Sequence, residues 1–371
     1  MFGEDEKTLA GDLANYNWKI FACSVVFDTI YFWKADMAGR FFLRAAMVRP
    51  WRLVQRFLIS FRFEESKIKK MPSDPQSDQI IPDVKGFFHG ASNTISYVVK
   101  DPQSNACAVI DSVLDLDYAA GKIAYTHADM IIDYVEKHQL SVEWLIETHV
   151  HADHLSAAPY IQQERGGKIG IAKQIVEVQE VFGKMFNAGT EFQRDGSQFD
   201  VLFHDGSRYL IGEMPAYVMH TPGHTPACMT HVIGDAVFVG DTLFMPDGGT
   251  ARADFPGGDA AQLYQSIQKI LTLDDAMRIF VCHDYGPDGR SIAWQTTVAE
   301  ERAKNIHIGK GASEADFVAM RLKRDATLAM PALIMPSIQV NMRAGHMPAA
   351  EPDGDVYLKV PISGLKSKKA F

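Results

Sequence analysis

The stretch THVHADH, residues 148–154, compresses three histidines and an aspartate into seven positions. His224 follows in HTPGHTPA, Asp241 in FVGDTLF and His283 in FVCHDYG. Imidazole nitrogens and carboxylate oxygens are the donors that divalent transition metals take. A lone histidine is ordinarily a packed polar residue, but four such stretches in one chain make coincidence the weaker explanation. His149 and His151 point the same way if the backbone between them is extended. Asp153 and His154 are expected at the start of a helix. The chemistry this predicts is metal-assisted, either activation of water for hydrolysis or oxidation at an open coordination site.

The elements that must hold these donors are legible from periodicity. VEWLIE (142–147) reads as an apolar strand that ends at the first motif. TISYVV (94–99) and ACAVID (106–111) flank the polar turn KDPQSN and read as a hairpin. A helix is expected over 128–138 and another within HLSAAPYIQQERGG, running out at Gly166-Gly167 before the strand KIGIA. PAYVMH, CMTHVI and AVFVG are strand candidates, the last two joined by Gly234-Asp235. AAQLYQSIQKIL is helical, and RIFVC (278–282) delivers His283 at its end. Strands that repeatedly end in ligand residues, with helices between them, imply a layered α/β domain whose chemistry sits on one rim. The proline-rich tail from Met335 reads as irregular chain packed over the domain.

Composition narrows the function classes. The 371 residues are 47% hydrophobic and 22% charged, and a net charge of -9 argues against a surface built to neutralise nucleic acid. A small-molecule or protein partner is favoured. Cys23, Cys107, Cys228 and Cys282 are scattered without a CxxC, which suits a reducing, cytoplasmic setting. Residues 1–75 differ in kind from the domain expected over 80–365. Trp18–Trp33 is aromatic and apolar but carries Lys19 and Asp28 and is shorter than the roughly 20 residues of a spanning helix. Residues 40–63 alternate arginines (Arg40, Arg44, Arg49, Arg52, Arg56, Arg62) with bulky apolar side chains. They read either as a basic amphipathic segment that contacts a membrane surface or a partner, or as a mis-assigned start outside the mature enzyme. Oligomeric state is open, a homo-oligomer included.

The four ligand stretches, in this order, resemble the signature of the metallo-β-lactamase superfamily over about residues 85–310. That resemblance implies an αββα sandwich with metal at the edge of its two β-sheets. Within the superfamily, ETHVHADHLSAA, GHTPACMTHV, GDTLF…ARADF and CHDYGPDG…TTVAEERAKNIHI resemble the persulfide dioxygenases. This implies one Fe(II) per chain, held by His149, His224 and Asp241, and oxidation of glutathione persulfide by O2 to sulfite and glutathione. Two imidazoles and a carboxylate on one face make the facial triad of non-haem iron oxygenases. His151, Asp153, His154 and His283 then orient ligands or bind water. The alternative is a dinuclear Zn(II) thioester hydrolase of the glyoxalase II type, in which those residues hold a second ion. AKNIHIGKG stands where that family carries its NPFLR-like glutathione-binding stretch, which favours the dioxygenase. A non-catalytic binding module would have lost ligands, and every ligand type is present.

Two further residues are carried by the same resemblance. Arg252, in ARADF, either binds a substrate carboxylate or pairs structurally with Asp254, after a loop (MPDGGT) about two residues longer than in the animal enzymes. Tyr285 either hydrogen-bonds the glutathione moiety or packs at the rim. Cys228 matches a cysteine beside the iron but reads by default as a small buried hydrophobe.

Overall fold

The computed structural model describes residues 80–362 in full and, nearer the N-terminus, the backbone of three strands. These strands, β1 (Ile20–Val26), β2 (Thr29–Ala35) and β3 (Phe41–Met47), form an antiparallel sheet in that order. They belong to a unit spanning Met1–Pro75, separate from the unit Gln76–Phe371. The arginine-bearing side chains of 40–63 lie outside the described residues. Among those described, no helix is long and apolar enough to cross a membrane.

In the larger unit, short β-branched and aromatic runs separated by glycine- and asparagine-rich turns build two six-stranded sheets. The first takes the order β12–β11–β9–β6–β5–β4, from Val201–Phe203, Lys168–Ala172, Ser141–Ile146, Ala106–Ile110, Thr94–Lys100 and Asp83–His89. The second runs β13–β14–β15–β16–β17–β18, from Arg208–Ile211, Met214–His220, Met229–Ile233, Ala236–Phe238, Arg278–Phe280 and Gln295–Thr297. β7 (Val113–Asp117), β8 (Lys122–Ala124) and β10 (Leu155–Ser156) make a small third sheet.

Side-chain alternation explains the layers. Phe238 and Phe280 point inward and meet Tyr97 of the opposite sheet edge-on, with ring centroids 5.3 and 5.6 Å away. Val237, Ile279 and Val281, one position out of phase, join a second cluster with Leu263, Ile267 and Ile270 of α4 (Ala260–Ile270) and Phe317 of α6 (Glu314–Asp325). The outer face of the first sheet is covered by α1 (Thr126–Lys137), α2 (Ala158–Arg165) and α3 (Ile175–Met185). Burying both faces of each sheet in this way gives the αββα sandwich. The remaining helix of this half, α5 (Val298–Lys304), is capped by Thr297, whose Oγ1 accepts from the Glu300 N–H.

Two expectations fail. Asp153 and His154 do not open a helix: Leu155–Ser156 pairs with β7 as β10, and α2 starts only at Ala158, with Pro159 in its first turn. The Ser156 backbone N–H is held by the Asn341 side chain instead. The tail is also not irregular throughout, because Ile334–Asn341 forms a buried helix, α7. Pro336 lies in its first turn, where the missing N–H costs no helical bond.

Candidate metal centre

Parallel neighbours β6 and β9 end at one edge of the first sheet, and parallel neighbours β16 and β17 end at one edge of the second. The segments leaving these ends carry Asp111, Glu147–His154, Asp241 and His283. The two rims are tied directly together. Ile95 N–H donates to Cys282 O at 2.8 Å, Met229 N–H donates to Thr148 O at 2.9 Å, and Thr94 bridges His283.

His149, His224 and Asp241 converge with one donor atom each inside a 4.8 Å group, all three buried. Their tautomers follow from their neighbours. Thr148 Oγ1 gives its only proton to Asp111 Oδ2 (2.8 Å), so it accepts from His149 Nδ1–H at 3.0 Å. His224 Nδ1–H donates to the Arg252 carbonyl at 2.8 Å. Both Nε2 lone pairs are thereby left bare, 3.8 and 3.6 Å from Asp241 Oδ2. Lone pairs facing a carboxylate repel it unless a cation lies among them, so this donor set fits a divalent metal. Burial, helped by the neighbouring His151 and His224, holds His149 well below the usual histidine pKa and thus neutral. Gly240 makes the approach: its φ is 51°, and a Cβ there would stand 2.6 Å from Thr148 Oγ1.

His151 is turned elsewhere. Its Nε2 lies 3.0 Å from Asp111 Oδ1 and 3.3 Å from Glu147 Oε2, and it groups with those carboxylates, with Asp153–His154 and with Cys282–His283. Burial opposes charge on all three residues. The Asp111 carboxylate nevertheless raises the His151 pKa well above its ordinary value, while burial raises that of Glu147. Asp111 itself sits at φ 52°, a left-handed conformation that costs a non-glycine residue energy and aims its carboxylate at both Thr148 and His151. His151 Nδ1 has no partner among the described residues.

On the other side, Asp153 Oδ2 accepts from Thr94 Oγ1 (3.1 Å) and from His154 Nδ1–H (3.2 Å). Burial pushes His154 down to about 4, so it is neutral, and its buried Nε2 has no partner among the described residues. His283 Nε2 lies 3.3 Å from Asp241 Oδ1 and 3.7 Å from Asp153 Oδ2. Those carboxylates raise its pKa against its burial. This half of the pocket can hold protons or a second cation.

The guanidinium of Arg252 grips Asp254 through Nε (2.6 Å) and Nη2 (2.8 Å) and donates from Nη1 to Ala329 O (2.6 Å). Its fork is occupied within the fold, and the residue reaches the centre through its backbone carbonyl on His224. The longer loop before it is pinned, since Arg290 bridges Asp247 and Asp284. Tyr285 is 60% exposed, its ring stacked on His283 at 6.1 Å and edge-on to Phe244 at 6.0 Å, at the mouth of the centre. Burial pushes the Cys228 thiol up to about 12, and its sulfur accepts from Thr225 N–H. Sequence reasoning missed Asp111 and Glu147, although an acidic residue closing an apolar strand (ACAVID, VEWLIE) is a usable signal. It also missed Asn341, which had none: Asn341 Nδ2 donates to the carbonyls of His151 (2.9 Å) and His154 (2.8 Å).

Residues 89–283 match the model of the metallo-beta-lactamase superfamily. The chain belongs to that superfamily. Among similar members, a probable metallo-hydrolase of Burkholderia pseudomallei is 54% identical over 292 residues, covering 76% of this chain and 99% of the relative. Glyoxylase B2 of Dictyostelium discoideum is 46% identical over 74% of this chain and 95% of its own length. The human mitochondrial persulfide dioxygenase ETHE1 is 28% identical over 71% of this chain and 88% of its own length. The crystal structure of ETHE1 from Myxococcus xanthus superposes with a TM-score of 0.57 at 26% identity, covering 71% of this chain and all of that one. The superfamily assignment makes this chain a metal-dependent enzyme by descent, and the His/Asp cluster at the sheet edges is its candidate metal centre.

Proposed function

We propose that this chain is an Fe(II) persulfide dioxygenase acting on glutathione persulfide or a similar low-molecular-weight persulfide, with His149, His224 and Asp241 holding one iron. The observation that carries the reading is the grouping of those three donors apart from His151, whose Nε2 is committed to Asp111 and Glu147. Two imidazoles and one carboxylate leave neighbouring positions open for two small ligands. Iron held there would supply the redox chemistry that lets O2 react with the outer sulfur. Water balances the reaction: RSS⁻ + O2 + H2O gives RSH + HSO3⁻. Thr148 and the Arg252 carbonyl fix the two imidazoles in the ligating tautomer. Phe244 and Tyr285 frame the entrance, and in this reading the Tyr285 hydroxyl would hydrogen-bond the thiol carrier. Arg252 serves as a positioning residue, holding His224 through its carbonyl and its own side chain through Asp254. The resemblance of the sequence around the ligands to persulfide dioxygenases, and the human relative of that name, support this choice.

A second reading has its own support. The Burkholderia and Dictyostelium relatives are closer in sequence and carry hydrolase-type names, and Asp153, His154, His283 and Asp241 form a second cluster of donors. In that reading the chain is a dinuclear zinc thioester hydrolase. Oxygen consumption with glutathione persulfide and hydrolysis of an acylglutathione, measured on the same iron- and zinc-reconstituted samples, separate the two. One iron per chain with persulfide-dependent O2 uptake is expected; turnover of the thioester alone refutes the dioxygenase.

A further inference from the structure

We propose that the cleft between the end of α3 and the C-terminal tail binds a small monocarboxylate with an apolar body, taken up by Arg343. The site is separate from the metal centre, since none of the seven candidate ligands lines the cleft, and it does not depend on which reaction occurs there. Among the described arginines that are not exposed, Arg165, Arg194, Arg252, Arg278, Arg290 and Arg321 each hold a carboxylate of the fold. Arg343 alone does not. Its guanidinium carbon lies 4.2 Å from the ring centre of Phe192, and its Nη1 donates to the Gln339 carbonyl at 2.5 Å. The other donors of its fork have no partner among the described residues. Burial lowers its pKa from the ordinary arginine value, and the charge of Glu191 only partly offsets this. A partly desolvated guanidinium without a counter-charge is unfavourable, and an anion that enters with a ligand relieves it.

The surroundings select the anion. Arg343 lines a cavity of about 450 Å³, within the roughly 300–1,000 Å³ of small-molecule sites. Phe186 and Phe192, both buried, and Met347 give it an apolar wall. The returning tail is stitched to α7: Gln339 Oε1 accepts from Lys359 N–H at 2.8 Å, and Gln339 Nε2 donates to the Lys359 carbonyl at 2.9 Å. Lys359 Nζ then reaches the Asn187 carbonyl, just beyond α3, at 2.9 Å. Arg343 itself stands in the turn that closes α7, where Ala344 and Gly345 take φ of 57° and 84°. A Cβ on Gly345 would stand 2.6 Å from Pro159 Cδ, so the turn is packed down. A guanidinium fixed at its base and stacked on one face presents the edge of its fork, which takes a carboxylate through two parallel N–H bonds. Charge sets the valence of the ligand. Lys359 lines the cavity with Arg343, and the exposed Glu191 and Glu351 line it too, balancing the two cations. A phosphate dianion meets repulsion there, while a single carboxylate on an apolar body finds a fork and an apolar wall.

The test is calorimetric titration of the full chain, loaded with metal and again after chelation, using 3-phenylpropionate and octanoate. Both acids should bind, with the same affinity in the two metal states, because a carboxylate seated on Arg343 does not touch the metal. The neutral 3-phenylpropionamide and inorganic phosphate should bind at least about tenfold more weakly than the acids. Arg343→Gln should weaken the acids at least about tenfold. Since Arg343 also holds the Gln339 carbonyl and packs on Phe192, a second variant leaves it in place. Ala349→Trp fills the cavity from an exposed position and should abolish binding with the melting temperature unchanged. A Kd weaker than about 1 mM for both acids overturns the proposal. Binding that needs the metal, an amide or phosphate that binds as well as the acids, or affinity retained in either variant overturns it too. A peptide ending in phenylalanine that binds at least about tenfold better than the free acids would make the cleft a protein-docking site and overturn the small-molecule assignment.

Discussion

Asn341→Ala removes the side chain that ties the end of the C-terminal helix to the first ligand motif. Asn341 is 4% exposed; its Oδ1 accepts from Ser156 N–H at 2.8 Å, and its Nδ2 donates to the carbonyls of His151 and His154. Alanine leaves one buried donor and two buried acceptors without partners. Each such group costs about 1–3 kcal/mol, so with partial relaxation a loss of about 4 kcal/mol is expected. For a domain of this size that lowers the melting temperature by about 10 °C. The decisive control is Asn341→Asp, which is isosteric. It keeps the acceptor for Ser156 but turns a carboxylate toward two carbonyls, so it should destabilise at least as much as alanine. Thermal unfolding of the metal-free protein reads the stability, and metal titration reads the weaker binding expected once the backbone of His151 and His154 is released. A fall of less than about 2 °C for alanine, or an aspartate variant as stable as wild type, would refute the account.

Two other predictions concern stability and positioning. His231 is fully buried beside Tyr209, with Nδ1 3.0 Å from the phenol oxygen, and burial pushes its pKa down to about 4. A folded-state pKa below the unfolded value of about 6.5 means that stability is intact above that pH and is lost as pH falls toward about 4, by about 3 kcal/mol for this group. Urea unfolding between pH 7 and 4 should show the decline, flattened in His231→Gln; an unchanged slope would contradict it. For Arg252, substitution of either member of the Arg252–Asp254 pair should lower kcat to a similar degree, and the double variant should be little worse than either single one. A rise in KM confined to Arg252→Ala would instead place the guanidinium on substrate.

Much of this molecule was legible because its donors are clustered in sequence. THVHADH, TPGHT and the GD pair each sit at the end of an apolar run, and a run of β-branched residues ending in a ligand says that a strand carries that ligand to a sheet edge. The hairpin over 94–111 and the turn at Gly234-Asp235 followed from turn chemistry alone. The failures have a common origin. The helix expected at Asp153 is displaced to Ala158 because Ser156 finds its partner in Asn341, 185 positions away in the chain. No local propensity contains such a bond. The tail looked irregular for the same reason, since α7 is fixed by what it buries and not by its own pattern.

The sequence by itself determined that the chain is a metal enzyme of layered α/β type, and which seven side chains are the candidate ligands. Spacing and donor type are local and chemical, and they survive without coordinates. The family resemblance already implied how those donors divide, and only the tertiary structure supplied the physical cause of the division. His151 and His149 stand two residues apart, yet one meets Asp111 and Glu147 and the other faces His224 and Asp241. That division depends on which sheet edge each imidazole faces and on which neighbour takes its second nitrogen. Both are properties of packing between strands distant in sequence, where a carboxylate about 3 Å away outweighs any preference the local chain could impose.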